Sequence, residues 1–282
     1  MVSRSWLYVP GHSRRMLDKA AGVGADAIIA DLEDAVPAAQ RPTARSVVAD
    51  WLDSGATGDA DAWVRVSPDA LEEDLRAAVR PGLTGVVVAK VDGPSLLTRL
   101  DALLSALESE RGLPAGRIAV SPRLESARGL RQIDAVAAAP RVLLLGLGEA
   151  DLSADLGLRP GPEGWELLPA RFEAVVASAA AGLAAPVGPA TVNYRDTEKL
   201  RAGTEALRRL GFSGRTAIHP HQVPVINEVF TPTAEEVAEA ERVIAAYAEG
   251  GGGAAAVDGT GTMVDEAVAR SARAVLVRAR RQ

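Results

Sequence analysis

Short apolar runs alternate with amphipathic stretches from the start of the chain to about residue 230. Apolar runs at 4–10, 25–34, 61–67, 85–90, 117–126, 141–151, 185–193 and 214–220 predict eight strands. Between them, apolar residues recur at helical spacing over 14–24, 42–55, 68–80, 95–110, 127–138, 166–182, 196–210 and 221–230. Pro42, in the first turn of the second of these stretches, marks a helix start. Most of the strand runs are continuously apolar rather than alternating, which requires cover on both faces. Eight β/α units in this length predict an α/β protein with a closed (β/α)8 barrel, the TIM-barrel architecture. A doubly wound open sheet is the runner-up. It lacks its dinucleotide fingerprint, since GLGEAD holds two glycines and follows the sixth strand.

The pattern changes after residue 230. A helix over 233–248 runs into the glycines 250–253, and an amphipathic helix follows Asp265. The expected organisation is a barrel over 1–230 and a C-terminal helical extension over 231–282 with a glycine hinge. Such a tail cannot build its own core and must dock on another surface, for which a neighbouring subunit is a candidate.

Composition narrows the chemistry. The chain has 282 residues, 48% hydrophobic, with no cysteine, so disulfides, thiolate catalysis and thiolate-bound zinc are excluded. A net charge of -6 argues against non-specific binding to nucleic acid or anionic membranes. The basic run 278–281 then reads as a solvated helix end. No apolar run is long enough to span a bilayer, and the first residues lack the apolar core of a signal peptide, so a cytoplasmic location is expected.

The segment AIIADLEDAVP poses a problem, because Asp31, Glu33 and Asp34 crowd the end of an apolar strand. Unpaired burial of like charges is costly, so a cation, solvent or arginines must compensate. On the barrel map these acids share one face with Arg65, Lys90, Glu125 and Asp151, each at or just past a strand end. That is the face on which barrel enzymes assemble their sites. Glu125 and Asp151 are hard oxygen donors without a histidine pair nearby, a set suited to Mg²⁺, with Mn²⁺ as a substitute. Glu33 and Asp34 are expected to orient the cation's water ligands, and the cation to neutralise the acids. Of the 31 basic side chains only Lys19, Lys90 and Lys199 are lysines. Lys90 could pair with the acids or form a Schiff base with a ketone, and pairing is favoured. His219 and His221 flank Pro220; one of them is expected to orient its loop, and the role of His12 is open.

RSWLYVPGHSRRMLDKA, GADAIIADLEDAVP, PRLESARG, GEADLSADLG, GFSGRTAIHPHQVPVINEVFTP and DGTGTMVD occur in this order over the full length. Together they resemble the HpcH/HpaI aldolase superfamily, and within it the citrate lyase beta subunit-like branch. The resemblance implies a (β/α)8 barrel, a homotrimer or dimer of trimers, and Mg²⁺-dependent carbon–carbon lyase chemistry on a coenzyme A thioester. It implies Glu125 and Asp151 as metal ligands and Arg65 as the arginine that steadies the substrate oxyanion or carboxylate. Asp265 would be the acid delivered by the tail, often into the next subunit, with Arg15 and Lys19 as partners of the coenzyme A phosphates. Malyl- or citramalyl-CoA would give acetyl-CoA and a 2-oxo acid. The alternatives are a citryl-carrier-protein lyase subunit of a citrate lyase complex, a thioesterase on the same site, and a Schiff-base aldolase using Lys90. Ser67 and Ala89 depart from the family pattern, which has asparagine and proline at these positions.

Overall fold

A computed structural model describes residues 3–250, 256–257 and 263–279. Residues 251–253 of the expected hinge, and Arg280 and Arg281 of the basic run, lie outside the described residues. Contacts divide the chain into two compact units, Met1–Asn227 and Glu228–Gln282, with the division falling inside the last helix that follows the barrel strands.

In the first unit eight parallel strands close into a barrel in sequence order. They are β1 (Ser5–Pro10), β2 (Ala27–Asp31), β3 (Asp61–Val66), β4 (Gly85–Val88), β5 (Ala119–Leu124), β6 (Gly146–Leu147), β7 (Val187–Gly188) and β8 (Gly214–Ala217). Around them run α1 (Arg14–Ala20), α2 (Arg41–Asp53), α3 (Leu71–Ala78), α4 (Pro94–Glu110), α5 (Ala127–Arg131), α6 (Ile133–Ala137), α7 (Glu149–Leu156), α8 (Leu168–Ala180), α9 (Thr197–Leu210) and α10 (Val223–Phe230). Local chemistry marks several boundaries. Prolines open α2 and α4, Asp196 caps α9 by accepting from the Lys199 amide, and Gly211 ends that helix at φ 105°.

The barrel interior is filled in layers. Trp6, Ala27, Ile29, Trp63, Val87, Leu144 and Val187 form the buried lower core, with the Trp6 and Trp63 rings 4.9 Å apart. Trp63 also explains Gly85: a Cβ there would sit 2.4 Å from the Trp63 ring. Above this plug the inward positions turn polar, with Asp31, Arg65, Arg123 and Thr216 lining a cavity. The change from tryptophan to charge within one barrel is what separates its packed floor from its open face.

Two expectations need adjustment. The run 141–151 predicts one strand, whereas only Gly146–Leu147 is strand and Glu149 opens a separate helix, α7. The helix expected over 127–138 is broken at Gln132 into α5 and α6. Among the described residues no helix is long and apolar enough to cross a membrane.

In the second unit α11 (Ala234–Glu249) starts with a capping box between Thr233 and Glu236. A two-stranded antiparallel pair, β9 (Ala256–Val257) and β10 (Met263–Val264), precedes α12 (Glu266–Ala279). Ala240, Val243 and Tyr247 of α11 bury Val264, Ala269 and Ala272. The surface that the sequence demands for the α12 apolar face is therefore supplied in part by α11 of the same chain.

Candidate active site

The parallel register of β2 and β3 sets Asp31 directly opposite Arg65. Both side chains face into the barrel, where the Arg65 guanidinium grips the fully buried Asp31 carboxylate with two bonds, Nε to Oδ1 at 2.6 Å and Nη2 to Oδ2 at 2.5 Å. The Glu33 and Ala35 amides donate to the same carboxylate at 2.9 Å each. Arg65 Nη1 reaches Glu33 at 3.0 Å and Asp34 at 3.5 Å, while Lys90 Nζ lies 2.6 Å from Glu33 and 3.5 Å from Asp34. The clustered acids are thus compensated by one arginine and one lysine. This corrects the expectation that a cation neutralises all three.

The charge states follow from these contacts. Burial works against a charge on Arg65, but hydrogen bonding and attraction to Asp31 outweigh it and hold the guanidinium more basic than usual. The Glu33 bond raises Lys90 above its ordinary value. Asp34 is buried in part, yet the Glu33 contact and the nearby Arg65 and Lys90 charges lower it. A lysine held protonated in this way is a poor Schiff-base nucleophile, which favours ion pairing for Lys90.

Glu125 follows β5 and is 7% exposed. Its carboxylate accepts one hydrogen bond from the Lys90 amide at 3.2 Å, and Lys90 adopts φ 51° to present that amide. Gly148 makes room, because a Cβ there would lie 2.5 Å from the Glu125 carboxylate. Asp151 sits in the first turn of α7. Burial, then the Asp151 charge, then that of Glu33, push the Glu125 carboxyl up to about 7. Arg65 and Arg123 offset this only in part, so the Glu125 and Asp151 carboxylates could hold a cation between them. The fit is reinforced by the surrounding charge. Asp31, Glu33 and Asp34 pair with Arg65 and Lys90, while Asp92 and Asp155 line an adjoining pocket with Glu125 and Asp151, so carboxylates outnumber bases at this face. Among the described residues no group of three or more His, Cys, Asp or Glu is placed to hold a metal. Two carboxylates with room for waters match magnesium better than zinc.

The cavity at this face has a volume of about 450 Å³ and is lined by Tyr8, Arg65, Arg123, Glu125, Asp151 and Thr216, among others. Arg65 stands over the Tyr8 ring at 5.0 Å. Arg15 and Lys19 are exposed one turn apart on α1 and do not line this cavity. Asp265, in the second unit, serves as the N-cap of α12, accepting from the Val268 amide at 2.9 Å. His219 Nδ1 accepts from the His221 amide, and its ring stacks on Tyr194 at 4.2 Å, which makes it the loop-orienting histidine. Sequence reasoning missed Tyr8, Arg123 and Thr216. The available signal was the two-residue strand period, which sets Arg123 on the same inward face as Glu125.

Residues 4–220 match the family model described as HpcH/HpaI aldolase/citrate lyase. The chain is 32% identical over 280 residues to the citrate lyase subunit beta of Leuconostoc mesenteroides subsp. cremoris, covering 98% of this chain and 92% of the relative. It is 35% identical over 262 residues to a (3S)-malyl-CoA thioesterase of Cereibacter sphaeroides, covering 91% and 88%. Among solved structures it resembles protein CitE from Mycobacterium tuberculosis in complex with magnesium, acetoacetate and coenzyme A. That match has a TM-score of 0.79 and 27% identity, covering 98% of this chain and 97% of the other.

Proposed function

The chain belongs to the HpcH/HpaI aldolase/citrate lyase family, and from that premise we propose that it is a magnesium-dependent carbon–carbon lyase acting on a 3-hydroxyacyl thioester of coenzyme A. The observation that carries the reading is the buried Glu125 carboxyl, pushed up to about 7 beside Asp151 in a cavity also walled by Arg65. Glu125 and Asp151 would hold the ion. When bound, Mg²⁺ or Mn²⁺ supplies Lewis-acid polarisation of the oxygens of the departing 2-oxo acid. The remaining work belongs to side chains. As the bond between C2 and C3 of the acyl group breaks, the C3 hydroxyl gives its proton to a carboxylate at this face and becomes the carbonyl of the 2-oxo acid, while the electron pair of the bond stays on C2 as a thioester enolate. Arg65, fixed by Asp31, balances the developing charge. Lys90 holds Glu33 and presents its amide to Glu125, so it orients the ligand set. Arg15 and Lys19 would meet the coenzyme A phosphates.

A specific likeness favours a second reading on the same site, thioester hydrolysis, since one relative is a (3S)-malyl-CoA thioesterase. A panel of malyl-, citramalyl-, methylmalyl- and citryl-thioesters separates the two. Release of glyoxylate, pyruvate or oxaloacetate marks the lyase, while free thiol without a 2-oxo acid marks the hydrolase. Turnover only on the acyl carrier protein form would mark a citrate lyase subunit. EDTA should remove turnover and Mg²⁺ or Mn²⁺ restore it; activity that survives exhaustive chelation would defeat the metal assignment.

The enolate carbon also needs an acid, and we assign this to Asp265, supplied by a second copy in a homotrimer or dimer of trimers. Because Asp265 also caps α12, substitution by alanine would confuse a lost cap with a lost acid. Asp265→Asn retains the capping oxygen. Mixed with Glu125→Gln under subunit exchange, it should regain activity that neither variant has alone. Continued inactivity of a mixture proven to have exchanged would rule out a shared site.

A further inference from the structure

The polar layer of the barrel contains a cation that the lyase reading does not use. Arg123 lies on β5 two residues before Glu125, on the same inward face and one layer nearer the tryptophan plug. It is 3% exposed. Its Nη1 donates to Ser121 Oγ at 2.7 Å and its Nε to Tyr8 Oη at 3.4 Å, while Nη2 is buried without a partner. Arg65 and Lys90 are each paired with carboxylates, but among the described residues none forms an ion pair with Arg123. A guanidinium keeps its charge under ordinary conditions. Glu125 feels its charge without forming an ion pair with it. Burying a guanidinium with an idle donor and no directly paired acid is expensive, so a structure tolerates it where a ligand completes the set.

The placement is built rather than incidental. The β5–β6 register sets Gly146 opposite Arg123. A Cβ at 146 would lie 2.4 Å from Nη1 and 2.8 Å from Cζ, so the strand is open only because a glycine stands there. Arg123 lines the same cavity as Glu125 and Asp151, with Tyr8 between its guanidinium and that of Arg65. Its partnerless N–H is closed to solvent in the empty cavity, so an anion that reaches the floor would complete its bonding by a small shift of the side chain.

We infer that Arg123 is a specificity-determining residue that receives a second substrate carboxylate at the floor of the pocket, below the metal-binding pair. The choice of a carboxylate follows from the donor: with Nη1 on Ser121 and Nε near Tyr8, the buried cation has Nη2 left for an acceptor, and a charged oxygen on a small anion answers both the charge and the idle donor. The carboxylate adjacent to the reacting carbon is already accounted for by Glu125 and Asp151 through their ion. One that reaches a layer deeper belongs to the far end of the 2-oxo acid, as in oxaloacetate, and is missing from pyruvate and glyoxylate. As a statement about turnover this rests on the lyase reading, and it moves the citryl type of thioester ahead of the malyl and citramalyl types.

The subsite can be tested without turnover. Malate and lactate are stable reduced counterparts of oxaloacetate and pyruvate that differ by the second carboxylate. Calorimetric titration of the full chain in Mg²⁺ should show malate binding at least tenfold more tightly than lactate. Arg123→Met should erase the preference while lactate affinity stays within about threefold, and Arg123→Lys should restore part of it. Equal affinities in the parent chain would overturn the inference, leaving Nη2 to an ordered water, and that measurement needs no variant to fold. Equal weakening of both ligands in Arg123→Met would overturn it as well, by making Arg123 a structural residue. The two readings fail separately. A malate preference without cleavage of any thioester keeps the subsite and removes the lyase, whereas cleavage without a malate preference does the reverse.

Discussion

Glu125→Gln should abolish metal-dependent turnover and yet stabilise the metal-free protein at neutral and alkaline pH. The carboxyl titrates near 7 in the fold, against an ordinary 4.5, because burial and the Asp151 charge both disfavour its ionised form. A folded value above the unfolded one means that the contribution of this group is fully present below about 4.5. It is lost as the pH rises through about 7. Above that, the native state carries a buried charge that costs on the order of 3 kcal/mol relative to the neutral acid. Glutamine is always neutral, nearly isosteric, and its amide oxygen can still accept from the Lys90 amide. In EDTA the variant should therefore match the parent at pH 4.5 and gain stability progressively to pH 8, read as the midpoint of denaturant unfolding. In saturating Mg²⁺ the order should reverse, since the ion binds the ionised parent and not the amide. Turnover should fall by at least a thousand-fold, because the ion loses one of two protein ligands. A variant less stable than the parent at pH 8 in EDTA would mean that the Glu125 charge is compensated in a way the Lys90 amide and Arg123 do not explain.

Much of this site is legible in the sequence. Eight apolar runs with amphipathic stretches between them specify a closed barrel, and the barrel rule turns strand ends into a face. On that basis Asp31, Glu33, Asp34, Arg65, Lys90, Glu125 and Asp151 share one face, and the structure brings them together. What the sequence could not convey was who pairs with whom. Asp31 meets Arg65 through register, a relation between strands 34 residues apart in the chain. Lys90 compensates Glu33 across 57 residues. Without these partners in view, a cation is the simplest neutraliser of three acids, whereas Arg65 and Lys90 take up much of that charge. The separate start of α7 was hidden for a different reason. LLLGLG is apolar enough to look like one strand, whereas Glu149 and Asp151 were read as its polar end rather than as the negative first turn that suits a helix N-terminus. Arg123 was overlooked because arginine in an apolar strand reads as a solvated side chain. Only the inward phase shared with Glu125, and the glycine facing it, reveal that it is buried.

Arg65→Ala should reduce turnover by a hundred-fold or more, and the structure explains why Arg65→Lys will recover little of it. The fork donates Nε and Nη2 to the two oxygens of a carboxylate that is wholly buried. A lysine ammonium is a single point and cannot reproduce that parallel pair. The same geometry gives a second reason for lost activity, which must be separated from the first. Removing the arginine leaves Asp31 charged in the barrel with only two backbone amides, and an uncompensated buried charge costs about 3–5 kcal/mol. Arg65→Met alone should therefore be both inactive and markedly destabilised. Adding Asp31→Asn removes the orphaned charge and should return most of the unfolding free energy, since the amide oxygen can still accept from the Glu33 and Ala35 amides. Turnover should stay at the level of the single variant, because the positive charge next to the reacting carbon is still missing. Recovery of rate together with stability in the double variant would show that Arg65 only neutralises Asp31. The enolate would then have to be balanced by another cation at this face, Lys90 or Arg123.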